Sequence, residues 1–284
     1  MHRDSIWITG ASGKVGSELM ARFKNHVDYR IVGTNMDVDV TDIKAVEQAM
    51  EIYRPDIIIN CASLSDAAYC EDHMVEAFKV NALGARNLAS MSRRLNAKII
   101  HLSTDDVFGG EHATRKTEFD FPTPVSVYGR SKLAGESFVR ELNPKHLIIR
   151  SSWVYGGKND YISWVLSKAR KGEAFTAAVD KISTPTSTDQ IAEFIEIMLD
   201  KQEYGIYHAS CEGACTRHEY TRAILSLTGY DKDLVSAAYE NNHGAVTTTL
   251  LENLMMKMTG LYEMPDWREE LKRYIEKHNL GKGN

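Results

Sequence analysis

A short apolar run, Ile6-Trp7-Ile8, leads directly into Thr9-Gly10-Ala11-Ser12-Gly13-Lys14-Val15-Gly16, and a helical stretch over residues 17–24 follows. This succession of strand, glycine loop and helix constrains the fold more than any other feature of the chain. Glycines permit a tight turn and let the backbone approach a ligand closely. The start of the following helix offers free N–H groups and the positive end of its dipole, which suits a phosphate. The G-x-x-G-x-x-G spacing in this setting reads as a dinucleotide corner, with Gly10, Ser12, Gly13, Lys14, Val15 and Gly16 as the contacts.

The rest of the first half repeats the theme. Further strands are expected at 30–34, 56–61, 98–103 and 146–150, and helices at 43–53, 72–95 and 131–141. The strands are short and nearly all Ile, Val or Leu, as a parallel sheet covered on both faces requires. The expected fold is therefore α/β, a Rossmann-type doubly wound sheet. Residues 1–150 would form the dinucleotide-binding domain, with about 183–204 returning to it. Residues 151–284 would form mainly a small, mixed substrate lobe over the carboxyl edge of the sheet. Ser187-Thr188-Asp189-Gln190 reads as a capping box, 205–209 as a strand, and Pro265 as the start of a last helix carrying Trp267, Leu271, Tyr274 and Ile275.

The second strand ends Gly33-Thr34-Asn35. An acidic residue there would hold a ribose 2′-hydroxyl; Asn35 does not repel a 2′-phosphate, and Lys14 is near, so the balance leans slightly to NADP over NAD. Asp39 and Val40 are candidates to meet the adenine, while Thr41 or Asp42 also suits the cap of the next helix.

A net charge of -5 gives no broad basic field for nucleic acid or an acidic membrane. No apolar run is long enough for a membrane span, and the start of the chain has no signal-peptide layout, so a cytoplasmic protein is expected. Cys61, Cys70, Cys211 and Cys215 lack zinc spacing and read as reduced structural thiols. His101, His208 and His218 have no acidic partner at fixed spacing, so no metal site is expected. The oligomeric state is left open between monomer and homodimer.

Tyr128-Gly129-Arg130-Ser131-Lys132 places a phenol and an ammonium at i and i+4 on one helix face. A lysine so placed is expected to favour the phenolate and lower the tyrosine's pKa, tuning it to exchange a proton with a carbonyl. Ser103-Thr104-Asp105 ends the fourth strand, where a doubly wound sheet places its ligands, and the Thr104 hydroxyl can polarise a carbonyl there. Tyr128 is thus the expected general acid, Thr104 its partner, and Lys132 the tuning charge and ribose contact.

Taken together, these motifs resemble the extended short-chain dehydrogenase/reductases and, within them, the dTDP-4-dehydrorhamnose reductase family. The resemblance also rests on Arg54-Pro55-Asp56, Asn60-Cys61-Ala62, Asn81-Ala82-Leu83-Gly84, residues 127–136, Arg150-Ser151-Ser152-Trp153-Val154-Tyr155-Gly156, Thr184-Pro185-Thr186 and Pro265-Asp266-Trp267-Arg268-Glu269. It implies reduction of a dTDP-linked 4-keto-6-deoxyhexose with hydride from NADPH or NADH. It further implies cofactor contacts at Cys61, Ala62, Ser63, Asn81 and Ser103, and substrate contacts at Asp105, Asp106 and Trp153.

The chain departs from that family around the expected sugar pocket. Asp106 and Gly109 replace a Tyr and an Asp. Ser63-Leu64-Ser65-Asp66 and Ala67-Ala68-Tyr69 replace the usual residues after Ala62, and residues 243–249 replace an Arg-Pro and Asn-Ser pair. Thr104-Asp105-Asp106 also resembles the Thr-Asp-Glu of nucleotide-sugar 4,6-dehydratases. A third resemblance is to the NADP-binding regulatory β subunit of methionine adenosyltransferase, a non-catalytic alternative that has no need of an intact Thr, Tyr and Lys.

Overall fold

The computed structural model describes residues 4–109, 114–157, 160–240 and 247–282. Part of the 243–249 segment, and Gly110, lie outside these described residues. Six strands form the main sheet: β1 (Asp4–Thr9), β2 (Tyr29–Thr34), β3 (Ile57–Asn60), β4 (Lys98–Thr104), β5 (His146–Ser151) and β6 (Gly205–His208). Their order is β6-β5-β4-β3-β1-β2, and every pairing is parallel. The chain reverses direction across the sheet between β1 and β3, so the carboxyl ends of those strands open a crevice.

The strands read as continuous apolar runs because both faces are covered. Ile6 and Ile8 join one core and Trp7 the other; Ile57 and Ile59 alternate with Ile58 in the same way. On one face lie α1 (Lys14–Phe23) and α5 (Thr188–Leu199); on the other lie α2 (Ile43–Tyr53), α3 (Ala85–Arg94) and α4 (Val127–Leu142). No helix among the described residues is long and apolar enough to cross a membrane.

The expected boundary at residue 150 is not a boundary of the core. Strand β6, read from the sequence as part of the lobe, pairs with β5, whose outer edge would otherwise be bare. One apolar cluster runs from Ile6 and Ile149 through Phe194 to Tyr220, Trp267 and Leu271. Short strands pair outside this sheet: Lys181–Ser183 with Cys215–Thr216 and Thr247–Thr248, Phe175–Ala178 with Val235–Ala238, and Val154–Tyr155 with Thr186–Ser187. They are joined by α6 (Arg217–Leu227) and α7 (Trp267–Lys277).

Three local expectations need correction. The 72–95 stretch is not one helix: it breaks at His73 and contains a π turn, Lys79–Gly84, before α3. Ser187 caps α5 by accepting the Gln190 N–H, but the box is not closed, because Gln190 Oε1 accepts the Tyr262 hydroxyl instead. The reciprocal box belongs to Thr216 and Glu219 at the start of α6. Pro265 precedes α7 rather than beginning it; Asp266 is the cap.

Trp267 is 1% exposed and its ring meets Tyr220 edge-on, tying α7 to α6. Trp267→Ala should lower unfolding free energy by about 3–5 kcal/mol in urea denaturation, the range for emptying a large aromatic site. A loss below about 1 kcal/mol would show that the lobe closes over the gap.

Candidate active site

The glycine loop connects β1 to α1. Gly13 is the helix cap and contributes no side-chain bond, so the first N–H groups of α1 face outward. Gly10 has φ +63, and a Cβ there would lie 2.7 Å from Ala62 N; one on Gly16 would lie 2.2 Å from Gly10 O. Neither position accepts a side chain without moving backbone, and the loop is thereby folded flat against the end of β3.

Around it lies a cavity of about 210 Å³, lined by Gly13–Gly16, Cys61, Ser63, Ser103, Tyr128, Lys132 and Ser151 among others. The buried Ser151 hydroxyl has no hydrogen-bond partner among the described residues. A glycine cradle, an uncapped helix start and an unsatisfied hydroxyl are the features a dinucleotide diphosphate and its nicotinamide end require, so the expected cofactor fits.

Of the remaining cofactor candidates, several do not line this cavity. Asn35 Oδ1 accepts the Ser12 N–H at 2.7 Å, bracing the loop. Val40 is packed in the core, Asp39 folds onto the Thr41 N–H and Asp42 caps α2; the cap is compatible with an adenine contact at Asp39 or Val40. Asn81 is buried in the π turn, and its amide is fully engaged: Oδ1 accepts from Leu64 N and Ser63 Oγ, and Nδ2 donates to Leu64 O and Ser131 Oγ. Its side-chain amide therefore shapes the 63–64 loop, beside the cofactor cavity, and ties it to α4. The extra residue of a π turn is what swings Asn81 inward.

Helix α4 starts earlier than its expected 131–141 span. Ser126 caps it through the Gly129 N–H, and Glu71 accepts the Val127 N–H at 2.7 Å. Tyr128 therefore lies in the first turn with Lys132 one turn on. Gly129 brings the helix against the turn carrying Asp106: a Cβ would sit 2.1 Å from Asp106 O. That close approach sets Tyr128 beside Thr104.

The electrostatics differ from the expectation that Lys132 lowers the phenol's pKa. Burial, then the charge of Asp106, pushes the Tyr128 phenol well up, with hydrogen bonding from Thr104 and Ser63 opposing. Lys132 does not offset this, because its Nζ donates to Leu102 O at 2.6 Å. Burial brings Lys132 itself down to about 8, against the pull of Glu136 and Cys61. One turn further, Glu136 is bound twice by Arg150, at 2.9 and 2.6 Å, and accepts the Ser103 hydroxyl at 2.5 Å.

A second cavity, about 320 Å³, adjoins the first. Both are bounded by Lys14, Ser65, Ser103, Tyr128, Ser151 and Val154. The second continues past Thr104, Asp105 and Asp106 to Trp153, Tyr161, Arg217 and Tyr220. It gathers the three expected substrate residues, and adds Tyr161 and Arg217, which no local pattern marked because they come from separate lobe helices. A further cavity of about 420 Å³, beside Phe119, Phe121 and Arg140, contains neither the glycine loop nor Tyr128.

Thr104 lies within 3.2 Å of carboxylate oxygens of both Asp105 and Asp106, and accepts the Asp106 N–H at 3.1 Å. Asp105 is buried and accepts from Ser183 at 3.1 Å; burial and then the neighbouring Asp106 raise it to about 7. Asp106, open toward the cavity, is also raised, mainly by burial, with Thr104 and Lys181 opposing.

A parallel sheet with a glycine cradle, and a Tyr and Lys one turn apart beneath a threonine, define an extended short-chain dehydrogenase/reductase. The chain belongs to the RmlD substrate-binding domain family, whose model matches residues 4–280. It is 34% identical over 276 residues to dTDP-4-dehydrorhamnose reductase of Mycolicibacterium smegmatis, covering 94% of this chain and 83% of that protein. It is 31% identical over 279 residues to the spore coat polysaccharide biosynthesis protein SpsK of Bacillus subtilis, covering 96% and 98%. A crystal structure of dTDP-4-dehydrorhamnose reductase from Bacillus anthracis in complex with NADP superimposes with a TM-score of 0.93 at 32% identity, covering 97% of this chain and 100% of that one.

The raised Asp105 carries a stability consequence. The folded state holds its proton up to about pH 7, whereas the unfolded carboxyl releases it near 3.9. Its contribution is complete below the unfolded value and is lost as pH rises through about 7. Asp105→Asn should flatten this decline between about pH 4 and pH 7 in urea denaturation; an unchanged slope would place the titration elsewhere.

Proposed function

We propose that this chain is a cytoplasmic, NADP-dependent reductase of a nucleotide-linked 4-keto-6-deoxy sugar, working on the dTDP-linked sugar for which its relatives are named. The observation that carries this reading is the meeting of two cavities at Tyr128. One holds the dinucleotide cradle; the other is roomy, polar and aromatic.

When bound, the dinucleotide supplies a hydride to the sugar's C4. The protein's residues do the rest. The loop and the start of α1 hold the diphosphate, and Lys132 reaches toward the adjoining ribose. Tyr128 gives its proton to the C4 oxygen as negative charge develops there. Its raised pKa keeps the phenol loaded at neutral pH. Lys132 lies one turn along the same helix face with its ammonium held by the Leu102 carbonyl, so its part is the ribose contact rather than a counter-charge to the phenolate. Thr104 orients the carbonyl; its single proton is shared among the substrate oxygen and the two aspartates, so those side chains modulate its strength as a donor. The buried Asp105, bonded to Ser183, is poorly placed for the paired-carboxyl work of a dehydratase.

Purified protein should oxidise NADPH when given dTDP-4-dehydrorhamnose. Tyr128→Phe should reduce turnover by about 100-fold or more while leaving NADPH affinity within a factor of about two, because the phenol acts in the transition state. Full turnover by this variant would overturn the mechanism. Clear NADPH binding with no oxidation of any keto-sugar nucleotide would favour the regulatory-subunit alternative.

A further inference from the structure

The reacting end of the second cavity carries a carboxylate that hydride transfer does not use. Asp106 opens into this cavity beside Thr104 and Tyr128. One of its oxygens lies 3.2 Å from the Thr104 hydroxyl, which is also a hydrogen-bond partner of the Tyr128 phenol. Among the described residues no cation lies within 4.0 Å of it. Lys181, whose charge it feels, is paired with Glu240. Arg217 is stacked on Trp153 and Tyr161, 3.5 and 4.6 Å from their ring centres.

For reduction alone this placement is unfavourable. Negative charge develops on the sugar's C4 oxygen as hydride arrives, and a carboxylate alongside opposes it. The same charge makes the Tyr128 phenol hold its proton more tightly.

The bound ketone gives the carboxylate a use. Hydrogens on the carbons flanking a carbonyl are acidic, because the electron pair left behind spreads onto the oxygen. Tyr128 and Thr104 already aim donors at that oxygen, so the hole that receives an alkoxide also receives an enolate. A carboxylate base beside a phenol in the oxyanion hole is an arrangement that enolises ketones. Burial raises the Asp106 carboxyl, which strengthens it as a base. Asp105, bonded to Ser183 and buried behind the turn, has no such access.

We propose that Asp106 is a general base toward the substrate's carbon skeleton and gives the enzyme a second activity, proton exchange at a carbon adjoining the C4 carbonyl. This rests on the keto-sugar reading above. The C–H bond at C3 or C5 breaks and its proton goes to an Asp106 oxygen. The electron pair forms the carbon–carbon double bond of the enolate, and the carbonyl π pair moves onto the C4 oxygen. The net charge of the site is unchanged: it passes from the carboxylate to an oxygen held by two donors. Asp106 then trades its proton with water in the cavity and returns one to the same face. No oxidant or reductant takes part, and a single base serving one face exchanges the hydrogen without inverting the carbon.

The test follows dTDP-4-dehydrorhamnose in D2O by proton NMR, with enzyme loaded with NADP+, which has no hydride to give. Wild-type protein should erase the hydrogen signal at C3 or C5 at least about 100-fold faster than buffer alone, the scale of general base catalysis. Asp106→Asn should return exchange close to the buffer rate and still bind NADPH, since Asp106 does not line the glycine-loop cavity. Asp106→Glu, which keeps the carboxylate, should restore part of the exchange. Should the asparagine variant lose NADPH binding, the glutamate variant carries the comparison, and exchange at the buffer rate in a glutamate variant that binds NADPH would count against the base. Wild-type exchange no faster than buffer, alongside NADPH oxidation with the same sugar, would overturn the inference alone, as would undiminished exchange by Asp106→Asn. Failure of wild-type protein to oxidise NADPH with any keto-sugar nucleotide would overturn the keto-sugar reading and the inference with it.

Discussion

The buried ion pair between Glu136 and Arg150 is the constraint on which the site depends. Both side chains are at most 4% exposed. Glu136 belongs to α4, Arg150 to β5, and the Ser103 hydroxyl that shares the carboxylate to β4. Removing one member of such a pair strands the other without solvent, typically at about 3–5 kcal/mol, so the three elements are locked in register. The guanidinium also lies over the Phe108 ring at 5.2 Å, anchoring the turn that carries Asp106. Tyr128 and Lys132 are upstream on the same helix, and their height above the sheet is set by this clamp.

Close approach of backbone does the complementary work. Gly129 brings α4 onto the Asp106 turn, and Gly10 lays the first loop on the end of β3. These contacts bring residues from the first, third and fourth strands to one rim of the sheet. Where that rim meets the lobe, an apolar cluster continuous across both keeps the second cavity from being a hinge between independent bodies. The aromatic wall of Trp153, Tyr161 and Tyr220 belongs to this junction, packed against the same cluster.

Much of this was legible in the chain. Alternating Ile-rich runs and helical stretches announced the parallel sheet, the glycine loop its ligand corner, and Tyr128 with Lys132 the shared helix face at the sheet's rim, because each depends on local spacing. The π turn that buries Asn81 and the four partners of its amide were not legible, since neither is written in local spacing. The pKa of Tyr128 ran opposite to expectation because desolvation depends on what packs around the ring, and because Lys132 turns to the Leu102 carbonyl. Strand β6 was visible as a strand, yet its place beside β5 was not, since pairing across the sheet joins residues about sixty apart in sequence.

The sequence by itself determined the class of fold, the dinucleotide corner and the tyrosine–lysine pair, because backbone sterics, period-two and period-3.6 patterning and helix-start chemistry act within a few residues. The tertiary structure alone decided that the two cavities meet at Tyr128, that Asp105 is buried against Ser183, and that Arg217 stacks on Trp153 and Tyr161. Those are contacts between distant segments. They follow from how one apolar core joins sheet and lobe, and from the ion pair that holds α4 to the strands beneath it.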